Sequence, residues 1–152
     1  MHRIWLSWRH LINDQEGIAM DKPIFFVTPG YGEKLHGMLG YSQAVKVGNR
    51  VEISGQGGWN DDIEFPASLV DEIELAFKNV ERVLAAAGAT WEHVISVDSY
   101  HVGGFPPEVN ATFARLYRHY MPNHGPIWTE LGVAELGAPG MRVEIKVTAI
   151  IA

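Results

Sequence analysis

The chain has no cysteine among its 152 residues. Disulfides and thiolate chemistry are therefore excluded, and a stapled secreted scaffold finds no support. Basic residues are also scarce. Lys and Arg number 12 against 18 Asp and Glu, a formal net charge of -6. Binding nucleic acid or an anionic membrane over a broad face takes concentrated Lys and Arg, so the balance argues against both partners. No apolar run reaches the roughly 20 residues of a membrane span. No Gly-x-Ser-x-Gly elbow is present, which leaves a serine-hydrolase triad unsupported. The 7 histidines form no His-Glu-x-x-His or other compact ligand pattern. Neither a metal nor a cofactor is expected. Gly55-Gln56-Gly57-Gly58 lacks the lysine and the spacing of a phosphate-binding loop.

What remains is ordinary, with 47% hydrophobic and 20% charged residues. Such a length and balance describe one globular domain with a real core. Residues 1–20 stand apart. Met1 to Ile12 is basic and apolar, without the continuous apolar stretch or small-residue cleavage site of a secretory signal. The segment reads as an N-terminal extension, with Met20 as an alternative start, ahead of a single domain over 21–152. The expected location is cytoplasmic, or mitochondrial should the extension be a transit peptide. Asp14 and Glu16 weigh against a transit peptide.

Ile24-Phe25-Phe26-Val27 is a short strand candidate. Pro29 to Gly40 holds five glycines or prolines and reads as a loop. Ala44 to Val47 and Arg50 to Gly55 flank Gly48-Asn49, a hairpin signal. Gly57 to Asp62 reads as a second loop. Between Pro66 and Ala87, residues Leu69, Ile73, Phe77, Val80, Leu84 and Ala87 recur at helical steps and make one apolar stripe. Pro66 suits the first turn of that helix and Gly88 its stop. Pro106 to Tyr120 forms a second helix, with Val109, Phe113, Leu116, Tyr117 and Tyr120 on its apolar side. Strands are expected over 94–102, 127–133 and 141–151. The order β-β-β-α-β-α-β-β predicts an α+β layer, a mixed sheet with two helices on one face.

Strand alternation groups candidate polar residues. Arg142, Glu144 and Lys146 share one face, about 7 Å between successive positions. Trp128, Glu130 and Gly132 share another, and Ser99 stands on the same face as His101.

Five short motifs occur in order: Tyr41-Ser42-Gln43, Ser54-Gly55-Gln56, Asn79 with Leu84 to Gly88, Val109-Asn110, and Val143-Glu144-Ile145. Together, from about Gly40 to Ile150, they resemble the RidA/YjgF family, small trimeric proteins whose best-known members hydrolyse reactive imines and enamines. Pro126-Ile127-Trp128-Thr129 stands where that family carries Pro-Ala-Arg-Ser. The run Trp128 to Val133, with Glu144 to Val147, is most similar to the arginine-less YjgH-like branch. The resemblance implies a chorismate-mutase-like (YjgF-like) sandwich, a homotrimer and three clefts at subunit boundaries.

It also implies roles. Glu144 is the expected catalytic residue, positioning the water that attacks the C=N carbon. Tyr41, Ser54, Asn110 and the Trp128 position belong to the expected substrate-binding set by the same resemblance, and strand alternation adds Glu130, His101 and Arg142. In arginine-bearing relatives the arginine clamps a substrate carboxylate with two-point geometry. Trp128 offers one N–H donor and no charge, but a large flat face. A neutral, aromatic or cationic small molecule is the expected partner, although Arg142 or Lys146 on Glu144's strand offers a route back to a carboxylate. His101 is a candidate acid or base. Each assignment has a plainer counterpart: Glu144 paired with Arg142, Tyr41 packed at an interface, Ser54 capping a turn, Asn110 capping a helix, Trp128 filling the core. Three functions follow in order: imine or enamine hydrolysis, non-catalytic metabolite binding, and endoribonuclease activity.

Overall fold

A computed structural model of the chain describes residues 21–152; the expected extension over 1–20 lies outside them. The elements are β1 (Ile24–Phe26), α1 (Tyr31–Leu39), β2 (Ala44–Val47), β3 (Arg50–Ile53), β4 (Gln56–Gly57), α2 (Leu69–Ala86), β5 (Val94–His101), α3 (Pro107–Tyr120), β6 (Ile127–Gly132) and β7 (Val143–Ile150). The strands form one mixed sheet in the order β1-β2-β3-β7-β5-β6, with β4 also on β7. Among the described residues, only β5 and β6 pair in parallel.

The Gly48-Asn49 turn joins β2 to β3 as expected, with Val47 opposite Arg50. The apolar stripe of α2 delivers Ile73, Phe77, Val80 and Leu84 to a core shared with Val109 and Phe113 of α3 and Val143, Ile145 and Val147 of β7. Each such side chain, fully buried, contributes about 1.5–3 kcal/mol. Phe77 is the hub: it stacks on Trp91 at 4.8 Å and meets Phe113 edge-on at 5.2 Å. The helix starts later than Pro66 suggests. Ser68 is its cap, and its Oγ accepts from the Asp71 N–H at 3.3 Å.

The expected loop over Pro29–Gly40 is instead a helix, α1. Its glycines mark its ends and one tight contact rather than an irregular run. Gly30 enters it at φ 80° and Gly40 leaves it at φ 76°. Gly32 lies against Thr28 Oγ1, which leaves no room for a Cβ. Tyr31 fixes the helix to the sheet. It is fully buried, its hydroxyl donates to Gln56 Oε1 at 2.7 Å, and the Arg82 guanidinium lies 4.8 Å from its ring centre. Burial pushes the Tyr31 phenol up to about 12. Tyr31, Trp59 and Met141 form a small second core, bordered by Leu35, Ile63 and Phe65. Two helices therefore cover one face, as the pattern predicts, and a third serves the end where β4 meets β7.

Candidate functional site

Alternation along β7 buries Val143, Ile145 and Val147 and turns Glu144, Lys146 and Thr148 to the opposite face. Gly57 of β4 stands opposite Glu144, and just before it the chain is interrupted between β3 and β4 at Ser54-Gly55. A Cβ on Gly55 would lie 2.7 Å from Glu144 Cγ and collide with its carboxylate, so only glycine admits that side chain. The result is a cavity of about 160 Å³ lined by Leu35, Leu39, Tyr41, Trp59, Met141 and Glu144 among others. Two wider hollows, of about 650 and 670 Å³, lie along Ala134–Arg142 and around Met121–Gly125. The first borders the Glu144 cavity through Gly137, Ala138 and Met141, and the second holds Tyr117, Arg118, Asn123 and His124 but none of the expected site residues; size alone does not place the site.

Burial holds the Glu144 carboxyl above the usual carboxylate range, and no hydrogen bond or cation offsets it. Tyr41 shares the cavity. Burial also raises its phenol; a hydrogen bond with Gln43 works the other way, and the charge of Glu144 raises it further. A half-buried carboxylate without a partner is costly to keep, which is the usual mark of a working group.

A second polar cluster lies on the helix-covered face. His101 is buried with 1% exposure. Its Nε2 lies 2.9 Å from Ser99 Oγ and 3.5 Å from Glu130 Oε1. Ser99 Oγ also accepts from Trp128 Nε1 at 2.9 Å. With its amide turned to donate, Asn110 Nδ2 reaches Glu130 Oε1 at 2.7 Å. Burial lowers His101 to about 4, so its imidazole is neutral near pH 7. Burial raises Glu130, partly offset by the Asn110 hydrogen bond. Trp128 stacks on Phe113 at 5.2 Å with the planes 7° apart.

The expected residues thus fall into two groups. Tyr41 and Glu144 share the cavity. Asn110, Trp128, Glu130 and His101 share the cluster between β5, β6 and α3. Ser54 touches neither set. Its Oγ accepts from Gln56 Nε2 at 3.0 Å, and it borders a separate shallow hollow with Phe25 and Glu52.

Arg142 is turned away from Glu144, against expectation. It precedes the first residue of β7, so the strand's alternation does not govern it. Its Nε donates to Glu72 Oε2 at 2.6 Å, and its terminal nitrogens donate to the carbonyls of Pro66 at 2.9 Å and Ala67 at 3.2 Å. Lys146 faces the Glu144 side but stands opposite Asp98 across the β5–β7 ladder.

Sequence reasoning missed Gly55, Trp59, Leu35, Leu39 and Met141. Gly55 had a signal, a glycine ending a strand beside a candidate catalytic strand. The others come from α1 and from loops, where no periodicity reports a shared wall.

The family model described as Endoribonuclease L-PSP matches residues 32–151. RutC family protein YjgH of Escherichia coli (strain K12) is 32% identical over 125 residues, 81% of this chain and 92% of that protein. A 2-iminobutanoate/2-iminopropanoate deaminase of Dermatophagoides farinae is 34% identical over 115 residues, 73% of this chain and 85% of that protein. The solved structure of Protein YJGH superposes with a TM-score of 0.72 at 30% identity, covering 84% of this chain and 95% of that one.

Proposed function

The chain belongs to the endoribonuclease L-PSP family, in the YjgH-like branch of the RidA/YjgF superfamily, and we propose that it hydrolyses an imine, an enamine or a related small metabolite. The observation that carries this is Glu144, an unpartnered, half-buried carboxylate with a raised pKa at the wall of a cavity. A relative that covers 73% of the chain bears the name of an imine deaminase.

Glu144 accepts a hydrogen bond from a water and takes its proton as the water oxygen bonds to the C=N carbon. With the imine protonated as an iminium, the nitrogen becomes a neutral amine on the carbon that bears the new hydroxyl. Glu144 returns its proton to that amine; as the C–N bond breaks, the hydroxyl gives its proton back to the Glu144 carboxylate, and a carbonyl compound and ammonia leave, the ammonia carrying that proton away as ammonium. A carboxyl pKa shifted toward neutrality suits a group that must both accept and return a proton.

Substrate contacts come from two subunits of a homotrimer in this proposal. Glu144 and the Trp128–Glu130 cluster face opposite sides of one sheet, so a single chain cannot close both around one molecule. A neighbouring chain can. Ile127, 74% exposed, and Leu131, 47% exposed, alternate with Trp128 and Glu130 on the edge strand β6 and supply apolar surface for such association. Tyr41 and Glu144 of one subunit then face Trp128, Glu130, Asn110 and His101 of the next.

Release of ammonia from imines generated in situ from a panel of amino acids and neutral or aromatic amines tests the activity. Acceleration that disappears in Glu144→Gln is expected, by about 10²-fold or more for loss of a general base. Ligand binding without turnover across the panel would leave a metabolite-binding protein instead. Endoribonuclease action gains no support from the acidic balance of 12 Lys and Arg against 18 Asp and Glu, and Lys34, Arg50, Arg82, Arg115 and Arg142 are in addition held in ion pairs with carboxylates.

A further inference from the structure

The face that carries Glu144 has a simple charge arrangement. Arg50 pairs with Glu52 of its own strand. Glu52 also accepts from Thr148 Oγ1 at 2.7 Å. Lys146 stands opposite Asp98 in the β5–β7 ladder. On α1, Lys34 pairs with Asp62 at 2.8 Å. Arg142 is committed to Glu72 on the far side of the strand. Each of these cations has a carboxylate beside or opposite it. Glu144 is the carboxylate left over.

The cavity walls agree. Its other lining residues are apolar or aromatic save Tyr41, and no Lys, Arg or His is among them. Tyr100 is the cross-strand neighbour of Glu144 and shares its face, so an aromatic ring lies beside the carboxylate's own position. The cluster expected to face it from the neighbouring subunit adds Glu130 and the indole of Trp128, and His101 there is uncharged near neutral pH. Two carboxylates, aromatic faces and no cation in the cavity lining are the wrong equipment for an anion. They are suited to a positively charged nitrogen.

We propose that the Glu144 cavity takes a cationic nitrogen compound with a small apolar or aromatic body, such as an ammonium, iminium or amidinium, in place of a carboxylate-bearing substrate. This rests on the cavity being the substrate site. A volume near 160 Å³ is about that of a cavity that holds one benzene ring. The charged head sits on Glu144 and the body lies against Leu35, Leu39 and Trp59.

Three probes of one shape decide the matter: benzylammonium, benzyl alcohol and benzoate, titrated calorimetrically into the full-length protein in its native assembly. Benzylammonium should bind about tenfold or more tightly than benzyl alcohol, as expected for a charge-assisted contact, and benzoate should not bind. In Glu144→Gln that preference should fall to near unity, while Lys146→Ala should keep it. In the unaltered protein, benzylammonium affinity should rise with pH as Glu144 loses its proton, and benzyl alcohol affinity should not. Preferential binding of benzoate, or a cation preference that survives in Glu144→Gln, overturns the proposal.

The hydrolytic function fails or survives separately. Ammonium binding without turnover keeps the cation site and rejects the hydrolase. Turnover of imines from amino acids, inhibited by benzoate and indifferent to benzylammonium, keeps the hydrolase and rejects the cation site.

Discussion

Glu72 and Glu144 lie on either side of the same end of β7 and differ in almost everything but chemistry. Glu72 is fully buried on α2. Its two oxygens accept from Arg142 Nε at 2.6 Å, from the Arg142 backbone N–H at 2.7 Å and from the Val143 N–H at 3.3 Å. Glu144 is less buried and accepts nothing from the described residues. The deeper carboxylate is the structural one, because its charge is fully answered. The shallower one carries the free-energy cost and therefore the candidate chemistry. Depth alone does not mark a functional acid; burial without a partner does.

Glu72→Gln should break this comparison most severely. It strands Arg142 and costs about 3 kcal/mol, at the lower end for a broken buried pair because the guanidinium is partly exposed. Urea denaturation should show the midpoint fall. Gly55→Ala comes next, at about 1–3 kcal/mol for overpacking. It also pushes the Glu144 carboxylate from its place, so it should abolish turnover while the chain still folds. Trp128→Phe removes the hydrogen bond to Ser99 but keeps a ring against Phe113, and should cost about 1 kcal/mol.

Glu144→Gln should leave stability near neutral pH unchanged or higher while abolishing activity, because it removes a carboxylate whose charge burial opposes. Its pH signature sharpens the point. Glu144's folded pKa is raised, so over that interval the folded state binds more protons than the unfolded state. Its contribution to stability is therefore lost as pH climbs from the ordinary carboxylate value through the raised one. Removing it should flatten that fall. His101 has the opposite slope. Its pKa drops from 6.5 to about 4, so the unfolded state binds more protons between those values. Stability should rise with pH across that window and be complete above it. NMR titration of the imidazole, together with denaturation of both proteins at several pH values, separates the two slopes. A single common slope would contradict the assignment.

Much of the fold was legible because its signals are periodic. The stripes of α2 and α3 and the Gly48-Asn49 turn are local patterns, and each becomes the element it predicts. Helix α1 was not legible, because its glycines serve its ends and a contact with Thr28 that lies outside any helical pattern. At the site, alternation correctly put Glu144 with Lys146 and Trp128 with Glu130. It could not tell that the two pairs face opposite sides, since a strand's period of two says which residues agree and not where they point.

The sequence by itself determined the family, the helix-on-sheet class and the acidic balance. These are properties of residue identity and spacing. The tertiary structure alone decided that Arg142 answers Glu72 while Glu144 stays unanswered. Which charge meets which depends on chain segments 70 residues apart, and no local pattern encodes a contact over that separation.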